Sequence, residues 1–292
     1  MKTSYFINLG LIFLLIGLYW FNNISSDSND PNNQLTHTDN KAVEYIVISQ
    51  ASRENIILNK TAGQWQLSAP LAARANTTRV NLLLSLLTIK TDRQQTTTEG
   101  QDLSHFGLTG DSTSLTLGQK KFIFGNIEPI SQQRYVLHNG IIYLLEDTVS
   151  PLLNTNASSF IDNRLILKEQ KITSIKLPLY DEGMLSKQTI TINLVKGQWQ
   201  TEQDIAMDKL VELIDNWNHA RALQVLPLNT IASKFKPSPF QVQLTINNQL
   251  DDMKLNLHLD DTSFFIVDEK TKLAYQFPKA LAQTLLLPTQ DQ

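Results

Sequence analysis

One short stretch occurs twice in this chain, and its repetition constrains the fold more than any other feature. Residues 62–70 read A-G-Q-W-Q-L-S-A-P, and residues 196–204 read K-G-Q-W-Q-T-E-Q-D. Each copy shows the apolar–polar alternation of a strand and is followed by a segment with helical periodicity. The two tryptophans are about 130 residues apart. That period is much longer than a solenoid repeat, so we predict an internal duplication in which each copy is a small domain.

Other landmarks support the duplication because they recur in the same order. S-H-F at residues 104–106 corresponds to S-K-F at 233–235, and I-I-Y-L-L at 141–145 corresponds to L-A-Y-Q-F at 273–277. Within the first copy, Asn139-Gly140 between two apolar runs is a strong hairpin signal.

Composition limits the classes of function. A length of 292 residues fits two domains, and the net charge of −3 provides no basic field for nucleic acid. The chain has no cysteine, which excludes disulfides, thiolate metal sites, a cysteine nucleophile and a lipid-modified cysteine anchor.

The N-terminus carries an apolar run. Residues 5–21 contain no charge and one polar residue, Asn8, and their length is near the lower limit for crossing a bilayer. Lys2 precedes the run and acidic residues follow it, which favours a cytoplasmic N-terminus. A cleaved signal peptide is the alternative, but the run is long for one and no small-residue cleavage site follows. We therefore predict an uncleaved anchor within residues 1–21.

Residues 22–40 are rich in Asn, Ser and Asp and predict a flexible tether. The first repeat is predicted over residues 41–153. Its main helix is predicted at 78–89, with Asn76 or Thr77 as the cap and with Leu82 on the apolar face. An apolar joint follows at 154–170, for which neither helical nor strand spacing holds, although its apolar content favours packing. The second repeat is predicted over 171–292, with a helix at about 205–220 that is capped by Asp204 and buries Leu210, Leu213, Ile214 and Trp217.

The pattern predicts an α+β fold. We expect two tandem similar units of antiparallel sheet, each with one main helix, preceded by an N-terminal transmembrane helix.

The order of these elements resembles the bacterial family known as domain of unknown function 4340. The residues that carry the resemblance are Gly63, Trp65, Pro70, the run Phe106-Gly107-Leu108, Leu115, Leu117, Gly118, the run Arg134-Tyr135-Val136, Tyr143 and the joint sequence S-F-I-D-N-R-L at 159–165. The second copy lacks the F-G-L and R-Y-V words. The resemblance implies an envelope protein that is associated in some cases with ABC-type transporters, and it implies no catalytic residue.

No sequence pattern indicates a catalytic or metal site. The histidines do not pair at metal-ligand spacing, and no nucleophile elbow, P-loop or dinucleotide-binding glycine motif occurs. The acidic pairs 251–252, 260–261 and 268–269 could supply calcium ligands, but they lie at predicted strand ends, where charges also solvate turns. We expect no cofactor and no enzymatic activity.

Four residues are candidates for contact with a ligand or partner. Trp65 and Trp199 could stack on sugars, but a tryptophan repeated at one place in each unit more often fills the core between sheet and helix. Arg134, next to Tyr135, could contact a ligand or solvate a strand edge.

From these observations we expect a single-pass protein of the inner membrane with periplasmic or extracytoplasmic domains. Its expected role is non-enzymatic and depends on contacts with a protein partner in the envelope, and the resemblance suggests an accessory to an ABC-type transporter. The alternative is a module that binds cell-wall polysaccharide or a small ligand.

Overall fold

The computed structural model describes residues 35–36, 39–91, 93–181, 183–231, 238–247 and 250–287. The predicted anchor at residues 5–21 and the S-K-F landmark at 233–235 lie outside this part of the chain. Among the residues that it describes, no helix is both long enough and apolar enough to cross a membrane.

The described chain is mostly β and forms two antiparallel sheets. The strands of the first sheet are β1 (Tyr45–Ser49), β2 (Ile56–Thr61), β3 (Gln64–Ala69), β4 (Ala73–Arg74), β5 (Gln94–Thr96), β6 (Ser114–Leu117), β7 (Lys120–Ile127), β8 (Arg134–His138) and β9 (Ile141–Leu145). The strands of the second are β10 (Ile172–Asp181), β11 (Met184–Val195), β12 (Gln198–Thr201), β13 (Gln224–Pro227), β14 (Gln241–Ile246), β15 (Met253–Leu259), β16 (Ser263–Asp268) and β17 (Leu273–Pro278).

The α-helices of the described residues are few, and most are short. They are α1 (Thr77–Leu84), α2 (Ser150–Leu153), α3 (Met207–His219), α4 (Leu228–Ile231) and α5 (Ala282–Leu285). The prediction of antiparallel sheets is therefore confirmed, whereas the expected α+β class gave the helices too large a share.

The two sheets repeat one topology. The first has the order β4-β3-β2-β1-β6-β7-β8-β9-β5, and the second has the order β12-β11-β10-β14-β15-β16-β17-β13. Apart from β4, each strand of the first sheet has a counterpart at the same place in the second. In each sheet the longer helix follows the strand that contains the G-Q-W sequence. The sequence repeat therefore corresponds to two similar sheets with their helices.

The repeated glycine turns fold in the same way. Ala62 and Gly63 have φ of 49° and 80°, and Lys196 and Gly197 have φ of 50° and 83°. Positive φ at both central residues is the signature of the type I′ turn, which matches the twist of a two-residue hairpin. Trp65 pairs with Lys60 across the first hairpin, and Trp199 pairs with Leu194 across the second. The same sequence therefore places both tryptophans in the second cross-strand pair from the turn.

The chain forms two compact units, which are described separately. One contains Leu82–Ser150 and the described residues up to Val43, and the other contains Glu44–Asn81 and the described residues from Pro151 onward. In the first unit, Leu35 and Thr36 are buried, and Leu35 N–H donates to the carbonyl of Ile89, although we expected this stretch to belong to the tether.

The helices differ from prediction mainly at their ends. Asn76 caps α1 by accepting a hydrogen bond from the N–H of Arg79, as predicted, whereas Leu82 is exposed rather than inward. Ala206 occupies the N-cap position of α3, so the prediction that Asp204 caps this helix is wrong.

The inward face of α3 is confirmed, since Leu210, Leu213, Ile214 and Trp217 are all buried. Trp217 also donates from Nε1 to the carbonyl of Leu285 in α5, which satisfies its one polar group inside the core.

Candidate functional site

The two matched tryptophans have different environments. Trp65 in β3 is 8% exposed and belongs to the core, as the packing interpretation of this residue expects. Trp199 in β12 is only partly buried and lines an open cleft of about 640 Å³. We call this feature the Trp199 cleft.

The Trp199 cleft has an apolar floor and exposed apolar residues around it. The floor includes Ile166, Ile172 and Ile214, which are buried. Leu194 of β11 and Val211 of α3 also line the cleft, although they are 40% and 49% exposed. Large apolar side chains left in water beside a concavity are typical of a surface that a ligand or partner covers.

Three cations surround this apolar surface. Lys168, Lys171 and Arg221 line the cleft, and among the described residues none of their charged groups forms an ion pair. The acid that lines it, Asp215, lies 3.2 Å from Nδ1 of His219 on the exposed side of α3. The cleft therefore has a positive balance, although the chain as a whole is slightly acidic.

The joint forms one wall of the cleft and is packed, as its apolar content predicted. Phe160, Ile161, Leu165 and Ile166 are buried. Two isolated antiparallel β-bridges connect the joint to an earlier and a later part of the chain. Ile161 pairs with Ala75, and Arg164 pairs with Arg221.

A buried ion pair fixes the joint. The carboxylate of Asp162 accepts hydrogen bonds from Nε and Nη2 of Arg164, at 2.9 and 2.6 Å, and from the Arg164 N–H. Burial by itself would raise the pKa of Asp162, but these hydrogen bonds and the charges of Arg74 and Arg164 lower the pKa below its usual value. The pair holds Arg164 at the cleft wall with its charge already neutralised.

A smaller cavity of about 230 Å³ shares two joint residues with the cleft, Leu167 and Gln170. Arg74 and Tyr275 line it, and burial raises the pKa of the Tyr275 hydroxyl. The Arg74 guanidinium donates to the carbonyl of Arg164, so its role here is to tie the joint to β4.

Of the four residues predicted from the sequence, Trp199 lines the cleft, and the other three lie elsewhere. Arg134 donates from Nε to Asp147 and from Nη1 to the carbonyl of Gly125, which uses its guanidinium inside the first unit. Tyr135 packs edge-on against Phe106, with ring centroids 5.0 Å apart.

The other polar candidates have local roles. His138 is buried, stacks on Phe122 and contacts the carbonyl of Lys121 through Nδ1, while His37 lies outside the described residues. Asp260 accepts hydrogen bonds from residues of its own turn, and Asp252 from side chains of the neighbouring strand β14. Within the described part of the chain, no cluster of three potential metal ligands occurs.

Sequence reasoning missed most of the Trp199 cleft. In the sequence, Leu194 and Val211 look like any other apolar residue of a strand and a helix. Their exposure could not be predicted because it depends on how the edge of the second sheet packs against α3. The basic residues at 164, 168 and 171 were the one available signal, since they are spaced three or four apart in an otherwise apolar joint.

Comparison with known proteins adds one match. A family model described as domain of unknown function (DUF4340) matches residues 65–243. Neither the curated proteins nor the solved structures include a match to this chain.

Proposed function

The chain belongs to the family of domain of unknown function DUF4340, and on that premise we propose that it is a non-enzymatic envelope protein that works through contacts with a protein partner. The observation that supports the proposal is the Trp199 cleft, in which Leu194 and Val211 are exposed beside three cations that form no ion pair with any residue the structure describes. Exposure of such an apolar surface to water is unfavourable, so its burial by a partner would favour formation of a complex.

The proposed location rests on the sequence. The apolar run at residues 5–21 anchors the chain in the inner membrane, residues 22–40 lead away from it, and the sheets lie outside the cytoplasm. The partner class that we propose, from the family resemblance, is an ABC-type transporter that this chain assists.

Photo-crosslinking in intact cells tests the partner. A photoreactive residue replaces Val211 beside the cleft, and a matched control replaces Ile130, which is 92% exposed in the other unit. We expect the photoreactive residue at position 211 to form a crosslink to one membrane protein, and this crosslinked product should be recovered after purification. The residue at position 130 should give little crosslinked product. The proposal would be refuted if neither position gave a crosslink and the chain purified from membranes as a monomer without a partner.

A fusion experiment tests the location independently. A periplasm-active reporter at the C-terminus should be active, and a cytoplasm-active reporter should be silent. The reverse result would place the sheets in the cytoplasm and remove the envelope from the proposal.

One observation favours a second function, the binding of a cell-wall polysaccharide. Trp199 presents part of its indole ring to the cleft, and aromatic rings of this kind stack on sugars. Cosedimentation of the full-length chain with purified cell-wall sacculi tests this function. If the chain binds polysaccharide, the parent chain should cosediment with the sacculi and Trp199→Ala should not. The control Trp217→Phe, which keeps an aromatic ring at a buried position, should still cosediment. Equal cosedimentation of Trp199→Ala and the parent chain would eliminate it.

A further inference from the structure

The outer edge of β12 has backbone groups that point away from the sheet. In a two-residue hairpin the pair next to the turn, Val195 and Gln198, exchanges hydrogen bonds, so the next pair, Leu194 and Trp199, does not. By the same alternation, the N–H and C=O of Trp199 and Thr201 are directed outward. β12 is the last strand on its side of the sheet. These groups have no hydrogen-bond partner among the described residues.

The first copy shows what occupies this position when it is filled. There β4 pairs with β3, and the N–H of Ala75 donates to the outward carbonyl of Trp65 at 3.1 Å. The second copy follows the same plan through the turn and the tryptophan. Its chain then runs from Thr201 to α3 without a strand corresponding to β4. The matched edge that the first copy covers with its own backbone is therefore not covered in the second by any part of the chain that the structure describes.

Side chains next to this edge suit an extended segment. Leu194 and Trp199 are opposite each other in a non-hydrogen-bonded pair, the closer of the two antiparallel arrangements, and both line the Trp199 cleft. A strand added beside β12 would send every second side chain toward the same face. Those side chains would reach the apolar surface that Leu194 and Val211 expose.

Charge restricts the chemistry of the segment. Lys168, Lys171 and Arg221 line the cleft without ion pairs among the described residues, and the acid Asp215 lies beside His219. An acidic segment gains Coulomb energy here, and a basic one is repelled.

We propose that the outer edge of β12 and the Trp199 cleft together bind one extended segment of the partner protein, rich in apolar and acidic residues, which adds to the second sheet as its next strand. This inference rests on the proposed function and specifies how the partner is held. The backbone supplies up to two hydrogen bonds at Trp199 and two at Thr201, while the cleft and its cations select the sequence.

The test uses the full-length chain in detergent micelles and a blocked octapeptide of alternating valine and glutamate. Two control peptides accompany it: one carries lysine in place of glutamate, and one carries an N-methyl group on every backbone nitrogen. The first control keeps the apolar content and reverses the charge. The second keeps the charged and apolar side chains but has no backbone N–H to donate to a strand ladder on either edge. We expect the acidic peptide to bind at least about tenfold more tightly than either control at low salt.

Hydrogen exchange locates the peptide. The amides of Trp199 and Thr201 should become protected when the acidic peptide binds. The amides of Gln198 and Gln200 already pair with β11, so they serve as an internal control and should change little. Protection elsewhere, with none at Trp199 and Thr201, would show binding without strand addition and would overturn the inference.

Two variants separate the backbone from the charge. Thr201→Pro removes the outward N–H but no bond to β11, and proline is tolerated on an edge strand, so the fold should persist while affinity falls roughly fivefold. Lys168→Glu with Lys171→Glu should lower affinity about tenfold at low salt and much less at high salt. Lys120→Glu with Lys121→Glu, in the first unit, is the matched control and should change nothing.

The remaining outcomes are also decisive. Equal binding of the acidic and lysine peptides refutes the charge argument. Concentration-dependent dimers that Thr201→Pro dissolves would assign the edge to a second copy of this chain instead of a partner. If photo-crosslinking finds a membrane partner while the peptide fails to protect β12, the proposed function survives and the strand-addition model fails.

Discussion

Removal of either partner of the Asp162–Arg164 pair should lower the stability of the second compact unit by several kcal/mol. The side chain of Asp162 is 7% exposed and that of Arg164 is 30% exposed, so removal of either partner leaves a charge in a poorly solvated position. Breaking a buried pair in this way costs about 3–5 kcal/mol. We expect Asp162→Ala to lie within that range. Arg164→Ala should lie near its lower end, because part of the arginine is in water.

The double variant distinguishes a true pair from two independent losses. With both side chains gone no unpaired charge remains, so the combined cost should be smaller than the sum by about 2–3 kcal/mol. Urea is the suitable denaturant, since guanidinium would screen the charges. Tryptophan fluorescence is the suitable signal, because Trp65, Trp199 and Trp217 all lie in this unit.

The pH dependence provides a further check on the same pair. The folded-state pKa of Asp162 is lowered, so the unfolded chain takes up a proton first as pH falls below about 4. The contribution of the pair is therefore complete at neutral pH and is lost as pH falls from about 4 through the folded-state pKa. Asp162→Asn should flatten the stability profile in that window. The conclusion that this ion pair fixes the joint would be refuted if Asp162→Ala lowered the free energy of unfolding by less than about 1 kcal/mol. It would also be refuted if the effects of the two single variants were additive in the double variant.

Three further changes test the first unit and the cap of α1. Gly125→Ala should lower the free energy of unfolding by several kcal/mol, because its Cβ would overlap the carbonyl oxygen of Phe106. The control Gly110→Ala, whose Cβ meets nothing within 4 Å, should leave the circular dichroism melting temperature unchanged. Burial lowers the pKa of His138, so stability should fall as pH decreases below about 6.5, and His138→Gln should remove part of that loss when urea midpoints are compared at pH 8 and pH 5. Asn76→Ala removes the cap of α1 and should cost about 1 kcal/mol, measured by urea unfolding.

The sequence predicted two similar sheet units because the features that encode the repeat are local. The turn at Ala62-Gly63 and its counterpart at Lys196-Gly197 require positive φ, and glycine in the second position supplies it in both. The inward face of α3 follows from helical spacing alone. Features of this kind depend on neighbours within a few residues, so a single sequence is sufficient to identify them.

The ends of α3 and the cleft were harder to predict because they depend on distant parts of the chain. Asp204 has the chemistry of a helix cap, yet α3 begins three residues later. The pairing of Arg164 with Arg221 brings the joint beside the C-terminal end of α3, and nothing in the local sequence of either segment indicates that bridge. Long-range pairing therefore decided where the cations lie relative to Trp199.

The difference between the environments of Trp65 and Trp199 shows how duplication can leave one sheet edge without a neighbouring strand among the described residues. The two hairpins are alike up to the tryptophan, and they diverge afterward. In the first copy the chain turns back at Ala73–Arg74 and covers the edge, whereas in the second it enters α3 within six residues of Thr201. An edge strand with unpaired backbone groups carries a risk of unwanted association, which proteins commonly limit with a short strand and nearby charges. β12 has four residues and lies at a cleft lined by lysine and arginine. The same features that discourage indiscriminate pairing would favour an acidic strand, and so protection against aggregation and selection of a partner can have one physical origin here.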